Sequence, residues 1–220
     1  DAGAHLPMID PSYDLSTCAI SDVDALCRAY HGYGGASSVA VVCYAVREAQ
    51  RIVAAYAWQP PPPGAAKSVC PQQPSAVLAL SRMVATPRDQ RTLRHVSTPL
   101  RRQMRVLLDR GRWPVLVTYS DEGQGHTGHV YRCSGWTPTL RSRADVYENA
   151  SGQRASNYSR GRSGGRDLTR VGHTWIQRWE QWSCAPEEVP AWMESHGWMR
   201  EPIVGKVWRS GNQAYTWRKR

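Results

Sequence analysis

The chain has 220 residues, 41% of them hydrophobic, and a formal charge of +10. Such a length and apolar content suit one large globular domain, or a domain with an appendage, and exclude a chain too polar to bury a core. The arginine excess implies a polyanionic partner, because cations that neutralise phosphates release counterions; a merely soluble basic surface is the plainer alternative. No apolar run approaches the ~20 residues of a membrane span. The opening D-A-G-A-H-L-P-M-I-D has no basic-plus-apolar signal layout, so the expected location is the cytoplasm. Six cysteines are scattered without a C-x-x-C pair, and reduced thiols are the default.

In chain order, Ser21 with Asp22 and Asp24 reads as a helix start, and Val23, Leu26, Cys27 and Tyr30 form its apolar stripe before H-G-Y-G-G. Val39 to Val46 and Arg51 to Trp58 read as a hairpin across a short E-A-Q, and Pro60 to Pro63 stop its second strand. Ala76 to Val84 reads as a third strand. Ser97 or Thr98 is then the expected N-cap of a helix with Pro99 at its first position, carrying Leu100, Met104, Leu107 and Leu108 as far as Gly111. The order of strands and helices, with one strand–helix–strand crossover, predicts an α/β fold with a mixed central sheet flanked by helices.

The most informative stretch follows, P-V-L-V-T-Y-S-D-E-G-Q-G-H-T-G-H-V-Y-R-C-S-G-W from Pro114 to Trp136. A buried strand delivers Tyr119, Ser120 and Asp121 to its end. Gly123, Gly125 and Gly128 then turn the backbone sharply and present His126, His129 and Tyr131. A carboxylate, two imidazoles and a phenol supply proton-transfer groups where ligands bind in α/β folds. The alternative is that Tyr131 and Trp136 are core aromatics and the glycines only shape a turn. His126 and His129 with Asp121 and Cys133 match no metal-ligand spacing, so no metal is expected. Ser120 lacks the G-x-S-x-G setting of a hydrolase nucleophile.

The crossover, with a helix N-terminus near Ser97 and Thr98, and a tyrosine after the next strand resemble the GNAT acyltransferase superfamily. Within it, L-S-R-M at Leu80 to Met83, the serine at Ser97 and the motif from Tyr119 to Trp136 resemble the Mom family of bacteriophage DNA-modification proteins, which act on the exocyclic amine of adenine. The resemblance covers about residues 10 to 145. It implies acyl-CoA, acetyl-CoA in particular, as donor and DNA as acceptor. It also implies Asp121, Tyr131, Ser97 and Arg82 as catalytic residues, and Met83, Arg91, Ser97 and Thr98 at the donor. Tyr119, Ser120, His126, His129, Trp136, Arg160 and Arg162 would face the DNA. One departure stands out: Thr86 to Thr98 contains no glycine, where acetyl-CoA enzymes of the superfamily carry a glycine-rich phosphate loop.

Composition changes near residue 149, which suggests a transferase core over 1–148 and a basic extension over 149–220. Ser151 to Arg170 is rich in serine, glycine and arginine and reads as a mobile basic loop. Beyond it, Trp175, Trp179, Trp182, Trp192, Trp198, Trp208 and Trp217 interleave with arginine and lysine, a composition that stacks on bases and neutralises phosphates, or else packs a small helical appendage. The reading is therefore a base-modifying transferase acting on DNA. A transferase acting on a hypermodified pyrimidine or a polyamine, and a non-catalytic DNA-binding protein, are its alternatives.

Overall fold

A computed structural model describes residues 13–31, 35–36, 38–87, 94–150, 152, 154–155, 168–207 and 213–219; at 94–95, 155, 200, 202–207 and 213–217 it describes the backbone alone. The described residues form ten strands: β1 (Tyr13–Thr17), β2 (Val42–Glu48), β3 (Arg51–Gln59), β4 (Val77–Ala85), β5 (Val115–Asp121), β6 (Thr137–Glu148), β7 (Arg154–Ala155), β8 (Thr169–Trp182), β9 (Trp198–Val207) and β10 (Gln213–Lys219). The helices that position the site are α1 (Ile20–Tyr30), α2 (Pro63–Val69), α3 (Arg94–Asp109), α4 (His129–Cys133) and α5 (Val189–Ser195). Eight strands form one sheet in the order β1-β2-β3-β4-β5-β8-β6-β7, and β9 pairs with β10 separately. Among the described strands only the β4–β5 pair is parallel, as the expected crossover requires.

The sheet separates two layers. On one face α3 and α4 bury Val96, Leu100, Met104, Leu107 and Tyr131 against Tyr56, Trp58, Leu78, Leu116 and Trp179. On the other, α1 packs Val23 and Cys27 on Ala55, Ala57 and Val84, while α2 and α5 cover Val77, Ala79, Val115 and Val117. α1 begins at Ile20, and Asp22 in its first turn reaches back so that its carboxylate accepts the Ala19 N–H at 3.3 Å. The hairpin turns at Ala49, whose φ is 54°. The prolines do stop β3, and Pro63 also starts α2, a helix absent from the sequence reading, because proline suits the first helical position.

Two expectations are corrected. α3 starts at Arg94, so Ser97 and Thr98 lie within it and Pro99 is interior. The apolar stripe explains this: Val96 is buried in line with Leu100, Met104 and Leu107, which draws the helix back past the serine and threonine. The boundary at 148 also fails to divide the sheet. β8, drawn from the expected extension, lies between β5 and β6 and pairs with β5 along its whole length, from Val115 opposite Trp182 to Asp121 opposite Ile176. The tryptophans sort accordingly. Trp179 belongs to the first core, and Trp182, Trp192 and Trp198 pack against the second; among the described side chains Trp175 is the exposed one, at 39%.

Candidate active site

β4 and β5 pair over Val77–Ala79 and Val115–Val117 and then part. β4 continues along β3 with a bulge at Ser81, where Trp58 opposes Leu80 and Ala57 opposes Arg82. The bulge shifts the alternation of side chains. Arg82 thereby falls on the α1 side with Val84, where its Nε–H donates to the Gly35 carbonyl at 3.1 Å. β5 continues along β8 and ends in a 3₁₀ turn, Glu122–Gln124, followed by Gly125 and Gly128 in the left-handed region. Gly128 is required there: a Cβ would lie 2.0 Å from Trp179 Cζ2.

Asp121 is buried at the end of β5. Its Oδ1 accepts the Gly123 N–H at 2.9 Å and the Thr174 hydroxyl, so β8 and the turn hold the carboxylate together. His126 donates its backbone N–H to the Asp121 carbonyl. Desolvation by the surrounding chain lowers the His126 pKa, against an upward pull from Asp121. Across the α1 side, His31 at the end of α1 is pushed down to about 4 by burial and then by the charges of Arg82 and His126. His31 is therefore neutral at physiological pH.

Tyr131 lies on the opposite, α3 side. Its ring packs against Trp179 at 5.7 Å and Trp136 at 6.2 Å between centroids. Its hydroxyl is hydrogen-bonded to Thr118, whose own hydroxyl donates to the Leu80 carbonyl at 3.2 Å. That places the phenol beside the point where β4 and β5 separate. Burial raises its pKa, which keeps it protonated. α4 is tied to α3 through the Ser134 hydroxyl, which donates to the Ser97 carbonyl at 3.2 Å.

Ser97 and Thr98 are buried within α3, and Met83 on β4 packs against the core of that face. Trp136 is corrected: it is 4% exposed, stacked on Trp58 at 6.3 Å, and presents no face to a base. His129 is exposed and contacts Cys133 Sγ at 3.5 Å; Tyr119 is 40% exposed. Arg91, Arg160, Arg162 and most of the expected basic loop lie outside the described residues. No group of three or more metal-ligating side chains is gathered among the described residues.

An open cavity of about 450 Å³ adjoins this centre, lined by Ser120, His126, Thr127, Arg132, Gln177 and Trp179 among others. Trp179 donates its indole N–H to Ser120 Oγ at 2.9 Å, and the Arg132 guanidinium lies 5.5 Å from the Trp179 ring. Sequence reasoning found Ser120 and His126 but missed Arg132, His31, Thr174, Gln177 and Trp179. Of these, only Trp179 carried a signal, and its composition pointed to the appendage.

The model of the Mom protein family matches residues 22–183. The chain belongs to this family. Comparison with curated proteins gives no match. Among solved structures, the ribosomal-protein-S18-alanine N-acetyltransferase from Escherichia coli aligns with a TM-score of 0.51 at 10% identity, over 79% of this chain and 96% of that one. The IAA acetyltransferase from Bacillus cereus aligns at 0.48 and 8% identity, over 77% and 100%. The spermidine N-acetyltransferase from Vibrio cholerae, solved with CoA and spermine, aligns at 0.47 and 9%, over 79% and 96%. The family match and the alignment with the Escherichia coli enzyme give this Mom-family chain the GNAT acetyltransferase fold. Among its described residues, no helix is long and apolar enough to cross a membrane.

Proposed function

We propose that this Mom-family protein transfers an acyl group from an acyl-CoA, acetyl-CoA first, to an exocyclic amine of a DNA base, adenine N6 first. The observation that carries the reading is the parting of β4 and β5 after Ala79 and Val117, with Asp121 and Arg82 on one side of the gap and Tyr131 on the other. The separated strand edges suit an extended ligand arm, which backbone groups can bind as they would a strand. The donor supplies an activated thioester carbonyl. Ser97, Thr98, Met83 and Arg91 would surround it. With no glycine from Thr86 to Thr98, its phosphates would be held by arginine charge more than by close backbone amides.

The amine of a base is a poor nucleophile, because its lone pair is delocalised into the ring. Its proton must leave as the C–N bond forms; in this reading Asp121 would take it and Arg82 would orient the group. As the C–S bond breaks, the Tyr131 hydroxyl gives its proton to the departing sulfur. A base edge is inaccessible in the stacked duplex, so the acceptor is flipped out or single-stranded. The cavity above Trp179, with Ser120, His126, Gln177 and Arg132 at its wall, would receive it; His129 is exposed on the same segment, whereas Tyr119, next to Ser120 on β5, faces the other side of the sheet. Mass spectrometry of nucleosides from DNA of cells expressing the protein tests this. A new acylated adenine is expected. A new pyrimidine derivative moves the acceptor to another base, and no new nucleoside under any donor supply refutes the reaction.

A further inference from the structure

Beyond Asp121, β8 and β6 part from β5 and run on as a ribbon, β8 from Trp175 back to Thr169 and β6 from Arg143 to Glu148, with the short β7 added to its β6 edge at Tyr147 and Glu148. Side chains alternate along a strand, so Trp179, Gln177, Trp175 and His173 share one face of β8. Their register partners on β6 are Pro138, Arg141, Arg143 and Asp145, and Ser120 of β5 opposes Gln177. Trp179, Gln177, Ser120 and Pro138 line the cavity. One continuous row, about 20 Å long from Trp179 to His173 at the strand rise, therefore leads out of the cavity onto the ribbon.

The chemistry along this row is specific. The Arg141 guanidinium lies over the Trp175 ring at 4.2 Å and is held there by two 2.8 Å hydrogen bonds to Glu122. Asp145 is paired with Arg170 at 2.9 Å. Both carboxylates bordering the row are thus already neutralised. Arg143 has no carboxylate partner among the described residues; its Nη2 contacts His173 Nδ1 at 3.2 Å. An exposed indole, a guanidinium beside it and an imidazole in file make a stacking platform with a phosphate contact.

We infer that this face of the ribbon binds the unpaired nucleotides flanking the acceptor base, with a base stacked on Trp175 and a phosphate on Arg143. The inference rests on the nucleic-acid acceptor proposed above and adds the surface that holds it.

The probe is a labelled 12-nucleotide single-stranded DNA, titrated against the full chain at several salt concentrations. Trp175→Ala should weaken binding about tenfold, the loss of one stacked base. Arg143→Gln should reduce the slope of log affinity against log salt by about 0.7, one single-strand phosphate contact. Thermal midpoints should stay at the wild-type value, since both side chains are exposed. Equal affinity and slope in wild type and both variants would overturn the ribbon surface and leave the transferase reading standing. A wild-type chain that binds no oligonucleotide, single-stranded or duplex, would overturn the nucleic-acid acceptor and the ribbon with it.

Discussion

Replacing Asp121 by asparagine separates a chemical role from a structural one. The carboxylate accepts hydrogen bonds from the Gly123 N–H and the Thr174 hydroxyl, and an asparagine Oδ1 can accept both. What is lost is the difference between charged and neutral acceptors, about 1 kcal/mol per bond or roughly 2 kcal/mol in all. A domain of ordinary stability, ~5–15 kcal/mol, then keeps at least ~3 kcal/mol and stays above about 99% folded. A proton acceptor at the nucleophile is worth roughly 10²–10⁴ in rate, far beyond what so small an unfolded fraction can produce. Thermal melting measured beside single-turnover acylation of an oligonucleotide reads both effects. Thr174→Val is the companion: it removes the hydroxyl contact at a similar cost in stability while sparing the carboxylate, and should stay within a few-fold of wild-type turnover. Wild-type turnover in Asp121→Asn, or an equal loss in Thr174→Val, would make Asp121 a cap of the 3₁₀ turn and nothing more.

Tyr131→Phe preserves the ring between Trp136 and Trp179 and removes only the hydroxyl; stability should fall by about 1 kcal/mol, while turnover should fall at least about tenfold, and unchanged turnover would assign the residue to packing. Gly128→Ala combines a left-handed φ of +70° with a collision against Trp179 and should cost roughly 2–5 kcal/mol in a denaturant titration. Gly125→Ala, at φ +74° with open space around it, should cost only about 1–2 kcal/mol, and similar values for the two would discount the collision. His31 has a folded pKa near 4 against an ordinary 6.5, so the unfolded chain binds the extra proton between those values and stability must drop on acidification through that window. Wild type should lose up to about 2 kcal/mol more than His31→Gln between pH 7 and pH 5, and parallel melting curves would refute it. Neutralising Arg160, Arg162 and Arg166 together should flatten the salt dependence of DNA affinity by about one unit of slope for each phosphate no longer neutralised; an unchanged slope would remove them from the interface.

The elements legible in the sequence were those whose partners lie close along the chain. The β2–β3 hairpin announced itself through two β-branched runs around a short turn, and the face of α3 through Leu100, Met104 and Leu107. β1, with Y-D-L-S-T, has no periodicity of its own and exists because β2 pairs with it. The start of α3 was misplaced because Ser97, Thr98 and Pro99 imitate a capped N-terminus, while the decisive contact, Val96 in the core, is tertiary. β8 was concealed by its own tryptophans: Trp175, Trp179 and Trp182 fall at the spacing of one helix face, yet on the strand Trp175 and Trp179 point one way and Trp182 the other. Asp121, Tyr131, Ser120 and His126 were found because glycine spacing and residue chemistry are local. Arg132, Thr174, Gln177 and Trp179 emerge only once β8 is set beside β5.

That insertion of β8 constrains how the protein can be made. The strand bearing Asp121 is synthesised almost fifty residues before the strand that completes it, and the intervening chain forms a strand that must end up on the far side of the latecomer. Until Thr169 to Trp182 has left the ribosome, β5 has an open edge, Thr174 is not there to fix the carboxylate, and Gly128 has no indole to close upon. Such non-local pairing is slow to form and exposes an apolar edge in the interval. A nascent chain stalled anywhere between Trp136 and Thr169 would therefore carry the whole signature motif without the strand that fixes its carboxylate and closes its glycine turn.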